Sequence, residues 1–134
     1  VTEPSMLRSF RWALAWALCI LVLCLMPGRA LPSWDWFDLL SLDKLVHAGM
    51  FGTLTVLLAG AFQKQGMHGP FLTLAVGISA AYGLGTEFLQ GLEALGRRTD
   101  INDMIANTVG AILGALFCAS RIRKGKAFLP TLLR

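Results

Sequence analysis

The sequence predicts an all-α membrane protein, a single bundle of four transmembrane helices, and three observations lead there. Of its 134 residues 55% are hydrophobic and only 15% are charged, whereas soluble domains carry about 25% charged residues. The mean hydropathy is +0.62. The apolar residues also fall into four runs with little or no internal charge, and about 20 residues at 1.5 Å each span a ~30 Å hydrocarbon core. With so few charges to face water, an aqueous globule, a disordered tail and a coiled coil are excluded.

The first run covers residues 10–26, is uncharged from Trp12 onward and stops at Pro27-Gly28. Its position resembles that of a signal peptide, but Pro27, Gly28 and Arg29 offer no small-residue cleavage site, so a retained helix is expected. Val1 to Ser5 carry no motif, and a natural start at Met6 fits them. The loop 31–42 carries Trp34, Trp36 and Phe37 among Asp35 and Asp38, a composition that anchors a loop at the headgroup level. The alternative is a lid or wall over a lipid site.

The second run covers 43–62, the third 70–92 and the fourth 102–120. In the third and fourth the acidic groups crowd one end. The connections are too short to hold a second domain, so residues 1–134 form one unit. Cys19, Cys24 and Cys118 lie inside apolar runs without metal-site or disulfide spacing. Gly110-x3-Gly114 permits close helix approach on the fourth helix, and Gly83 and Gly85 are expected to do the same on the third.

The net charge is +4, and five of the twelve basic residues occupy the last 14 positions. That tail marks a cytoplasmic membrane face rather than a nucleic-acid partner. With the N-terminus inside, Arg8, Arg11, Lys64, Arg121, Arg123, Lys124, Lys126 and Arg134 are cytoplasmic, and Arg29, Lys44, Arg97 and Arg98 are external. Both termini are therefore expected on the cytoplasmic side of the membrane.

Ionisable groups within a membrane are costly, so their placement carries the functional signal. Asp43 and His47 are four apart, as are Asp103 and Asn107, while Glu87 and Gln90 are three apart. Each pair shares one helix face. Under the expected topology all three pairs lie near the outer ends of their helices, with His47, Glu87 and Asn107 roughly 6 to 9 Å below the interface and Arg97, Arg98 and Asp100 above them. Taken singly, Asp43 and Asp103 read as helix N-terminal acids, His47 as a packed histidine and the arginines as interfacial cations. Glu87 requires a partner, for which Arg97 and His47 are the candidates, or must stay protonated. Together the set reads either as a structural ion-pair network or as a binding site, and the poor stability return of buried ion pairs favours the site.

Asp43-Lys44-x2-His47, Glu87-x2-Gln90 and Arg97-x2-Asp100-x2-Asp103-x3-Asn107-x2-Gly110-x3-Gly114 resemble the signature of the VanZ-like membrane proteins, over residues 31–120. The spacing from Asp103 assigns the arginine position to Arg97. Pro27-Gly28 and Leu31-Pro32 resemble the loop of many members. Ala48 stands where many members have an aromatic, a departure that bears on packing. The resemblance implies a bacterial envelope context and a link to resistance against the glycopeptide teicoplanin. It implies no reaction.

Several functions fit these residues. The first is binding of an envelope lipid or lipid-linked cell-wall precursor at the outer leaflet by Asp43, Lys44, His47, Glu87, Gln90, Arg97, Asp100, Asp103 and Asn107, with Lys44 and the arginines meeting a phosphate. The second is an intramembrane hydrolase or transferase with His47 or Glu87 as general base and Asp103 orienting it; no serine or cysteine stands among these residues as nucleophile. A metal on His47, Glu87 and Asp103 is disfavoured by the adjacent Lys44 and arginines, and no cofactor is expected. The third, a proton-linked transporter, requires dimerisation of so small a bundle, and a homo-oligomer stays open. A purely structural role is the remainder.

Overall fold

The computed structural model of the chain describes residues 5–26, 42–92 and 101–134. These residues are all-helical, without strands, and four helices are long and apolar enough to cross a membrane: α1 (Met6–Leu25), α2 (Leu42–Lys64), α3 (Phe71–Gln90) and α4 (Ile101–Arg123). At 20 to 23 residues each, they measure roughly 30 to 35 Å.

Local chemistry sets the ends. α1 begins four residues earlier than the hydropathy suggested, because Ser5 caps it by accepting a hydrogen bond from the Arg8 amide at 3.2 Å. Pro70 stands at the N-cap of α3, where its missing N–H costs nothing, and Gly91 ends that helix. α4 continues past Ser120 to Arg123 before Gly125 takes a left-handed turn at φ 67°.

Cross-helix contacts fix the register. Trp16 Nε1 on α1 donates to the Met50 carbonyl on α2 at 2.9 Å, and Phe10 meets Phe62 edge to face at 5.4 Å. These helices are therefore antiparallel. Thr55 of α2 shares a 2.8 Å hydrogen bond with Ser79 of α3, and Phe51 packs against Tyr82, so α2 and α3 are antiparallel too. α2 and α4 run parallel and in closest contact.

Glycine makes that last contact possible. A Cβ at Gly110 would overlap the Ala48 carbonyl oxygen, and one at Gly114 would come within 2.5 Å of the Gly52 carbonyl oxygen. Both glycines thus sit at the α2–α4 crossing. On α3, Gly83 lies against Asn107 and Phe51, as expected, but Gly85 has open space around it and is no packing glycine.

The bundle carries apolar side chains on its outside as well as in its core, where Ile20, Phe51 and Leu54 are buried. Leu14, Leu18 and Val22 on α1 and Ile105, Ile112 and Leu116 on α4 are exposed, while Thr55, Ser79, Thr86, Glu87, Gln90 and Asn107 are buried. Apolar side chains facing lipid lose nothing, and small or hydrogen-bonding side chains hold the helices together. Cys24 and Cys118 are buried, whereas Cys19 is on the surface, and none of the three forms a disulfide.

The C-terminal segment is more than the basic tail expected from composition. Phe128 and Leu129 are buried against the bundle, followed by a 3-10 turn at Thr131–Leu133. Lys64 Nζ donates to the Leu133 carbonyl at 2.6 Å, and Arg134 Nε donates to the Leu129 carbonyl at 2.9 Å. Leu129 fills the space beside Gly60.

Candidate functional site

Because α2 and α4 run parallel and α3 antiparallel, the start of α2, the start of α4 and the end of α3 meet at one end of the bundle. The periodicity of each helix then decides which polar side chains turn inward. On α2, Asp43 and His47 are one turn apart. On α4, Asp103 and Asn107 are likewise, and on α3 Glu87 faces the same interior with Gln90 one turn further out.

The resulting cluster is connected. Lys44 Nζ pairs with Asp43 Oδ2 at 3.0 Å and with Asp103 Oδ1 across the α2–α4 contact. His47 Nδ1 donates to Asn107 Oδ1 at 2.9 Å, and His47 Nε2 lies 3.7 Å from Asp103 Oδ2. One ligand atom each of His47, Glu87 and Asp103 falls within 4.8 Å of the others. Burial is graded: Glu87 is fully buried, Asn107 is 1% exposed and His47 7%, while Asp43 and Lys44 are partly exposed at the rim.

Of the residues singled out from sequence, Asp43, Lys44, His47, Glu87, Asp103 and Asn107 come together. Gln90 is buried on the Glu87 side of α3. Arg97, Arg98 and Asp100 lie outside the described residues, as do the aromatics of the loop 31–42. Among the described residues His47 lies beside Glu87.

Sequence reasoning missed a second polar layer deeper in the bundle. Thr55 Oγ1 donates to the Phe51 carbonyl at 2.9 Å and bonds Ser79 Oγ at 2.8 Å, both side chains being fully buried. Thr86 bonds the Gly83 carbonyl at 2.8 Å, and Tyr82 Oη donates to the Ala17 carbonyl at 2.6 Å. At the far end Gln65 Nε2 donates to Ser9 Oγ at 2.7 Å. Helical spacing carries a signal for this layer, since Phe51, Thr55 and His47 fall on one stripe of α2.

The two ends differ in charge. Arg8 and Arg11 of α1, Lys64 of α2, Arg121 and Arg123 of α4 and the basic tail all stand at the end opposite the cluster. The cluster itself brings three carboxylates, one ammonium and one imidazole to a shared depth, an arrangement able to bind a polar group or to exchange protons.

A family model described as VanZ/LLP1 matches residues 5–123, nearly the whole chain. No curated protein and no solved structure matches it.

Proposed function

Because the chain belongs to the VanZ/LLP1 family, we propose that it acts in the bacterial cytoplasmic membrane by binding an envelope lipid or lipid-linked cell-wall precursor at the outer leaflet. The observation that carries this is the convergence of Asp43, Lys44, His47, Glu87, Asp103 and Asn107 from three membrane-length helices at one end of the bundle. Charged side chains at such depth are costly and belong to sites. The basic end opposite supports an inward-facing N- and C-terminus and an outward-facing cluster. Lys44 at the rim, with Arg97 and Arg98, meets the lipid phosphate, and the apolar outer faces of the helices accompany its chains. The link to glycopeptide resistance follows from a ligand on the route to cell-wall assembly.

Lys44→Ala and Arg97→Ala are expected to lower the amount of phosphate-bearing lipid that co-purifies with the protein and to alter teicoplanin sensitivity. Unchanged lipid and sensitivity in both variants overturn the reading. Single cysteines placed at positions 44 and 126, in a chain with its own three replaced, test the orientation: an impermeant thiol reagent added outside cells reaches position 44 and not 126.

One observation favours a second reading, hydrolysis or transfer at a lipid head group. His47 Nε2 faces Asp103 Oδ2 with Glu87 alongside, a set suited to proton transfer. Release of a labelled head group by purified protein, abolished by His47→Gln, separates this from binding alone.

A further inference from the structure

We infer that the basic end of the bundle, together with the docked C-terminal segment, binds the phosphates of anionic phospholipids such as phosphatidylglycerol in the leaflet around it. This surface stands at the end opposite the polar cluster, and the inference does not depend on what the cluster binds.

Charge at that end has no balance within the chain. Arg8 and Arg11 lie at the start of α1, Lys64 ends α2, Arg121 and Arg123 end α4, and Lys124, Lys126 and Arg134 follow. No acidic side chain occurs between Lys44 and Glu87 or after Asp103, so Glu3, outside the described residues, is the one acid that the sequence places near these cations. Even a pair with Glu3 leaves most of them to be neutralised from outside the chain. Lys44 at the other end, by contrast, takes two carboxylates.

The hydrogen bonds of this end gather the cations without discharging them. Lys64 Nζ donates to the Leu133 carbonyl, Arg121 Nε to the Ala127 carbonyl at 2.9 Å and Arg134 Nε to the Leu129 carbonyl. Each acceptor is uncharged. With Phe128 and Leu129 buried against the bundle, these bonds lay the basic tail along the helix ends instead of leaving it in water. The Arg11 guanidinium stands 5.3 Å from the Trp12 ring centre, and an aromatic beside a cation suits the headgroup level.

Apolar side chains identify the partner. Leu7 beside Arg8 and Leu132 beside the terminal arginine are 72% and 79% exposed, and Ile122 between Arg121 and Arg123 is exposed as well. A nucleic acid or a soluble anion would meet the charge and leave these side chains in water. An anionic lipid meets both, its phosphate taking the guanidinium and ammonium groups and its chains taking the leucines.

The test places a fluorophore on Ala127→Cys in the full chain with its own three cysteines replaced. The protein is held in phosphatidylcholine nanodiscs that contain a nitroxide-bearing lipid with either a phosphatidylcholine or a phosphatidylglycerol headgroup. Stronger quenching by the phosphatidylglycerol form is expected, equivalent to at least a ~3-fold preference at low salt, and it shrinks at ~1 M salt. Lys124→Gln with Lys126→Gln, and separately Arg123→Gln, are expected to lower that preference clearly, whereas Arg123→Lys keeps it. These side chains are exposed and make no hydrogen bond to a described atom, so the variants melt as the wild type does, and either one that does so decides the matter. Equal quenching by the two headgroups in the wild type, or an undiminished preference in the folded glutamine variants, overturns the inference. A preference abolished by inorganic phosphate but not by chloride at the same ionic strength marks a site for soluble phosphate and overturns it too. A lipid held at Lys44 lies about 30 Å away along α2, out of contact with the label, so the result stands or falls apart from the lipid reading of the cluster.

Discussion

His47 on α2 and Asn107 on α4 are joined by a 2.9 Å hydrogen bond between Nδ1 and the amide oxygen, sixty residues apart in sequence. The bond holds the imidazole so that Nε2 faces Asp103, and it ties the two parallel helices together one turn below the rim. Asn107→Ala removes the acceptor and leaves a buried N–H. A loss of about 1–3 kcal/mol in folding stability is expected, measured by reversible unfolding in mixed micelles. A variant as stable as the wild type shows that His47 finds another acceptor and that the tether is dispensable.

The Lys44 bridge couples two acids from different helices. Lys44→Met leaves Asp43 and Asp103 facing each other without their ammonium. A cost of roughly 1–3 kcal/mol is expected, below the ~3–5 kcal/mol of a fully buried broken pair because these side chains are partly exposed. Adding Asp103→Asn recovers part of that loss, so a double-mutant cycle gives a clear coupling term. Additive effects of the two changes disprove the bridge.

The glycines predict opposite outcomes at two positions of similar appearance. Gly110→Ala forces the α2 and α4 backbones apart at Ala48 and is expected to destabilise by about 1–3 kcal/mol. Gly85→Ala meets nothing within 4 Å. Its higher helix propensity makes it neutral or stabilising by up to ~1 kcal/mol. Thermal unfolding of both variants in one detergent checks the contrast.

Much of this was legible in the sequence because a membrane makes polar residues expensive. Asp43 with His47, Asp103 with Asn107, and Glu87 stood out against apolar runs, and helical periodicity was sufficient to turn them onto common faces. The pairing of Lys44 was not legible, since its flexible stem reaches acids on two helices and the choice depends on how α2 and α4 pack. Gly83 and Gly85 are equivalent on paper and differ only through what stands opposite them. Phe128 and Leu129 are too few apolar residues among charges to announce a docked segment, and the space beside Gly60 that receives Leu129 exists only once α2 is in place.

Thr55 and Ser79 form a hydroxyl pair at the interior of α2 and α3. Thr55→Val alone or Ser79→Ala alone strands a partner, whereas the double change removes both. Interhelical hydrogen bonds in membranes are worth about 0.6 kcal/mol on average, so a coupling energy of that order is expected from a double-mutant cycle. A value above ~1.7 kcal/mol signals a larger polar network through this layer.

The docked C-terminal segment is held chiefly by apolar burial, with Lys64 and Arg134 hydrogen-bonding to its backbone carbonyls. Leu129→Asp places a charge in the space beside Gly60 that the apolar Leu129 side chain fills. Release of residues 127–134 is therefore expected, seen as faster protease cleavage after Lys124 and Lys126 and as faster amide exchange at Leu133 and Arg134. The cluster stands at the other end of the bundle, so His47 and Asn107 are expected to keep their bond. Cleavage at the wild-type rate shows that the hydrogen bonds from Lys64 and Arg134 suffice to hold the segment. Loss of the His47–Asn107 bond in Leu129→Asp shows instead that the two ends of the bundle are coupled through α2.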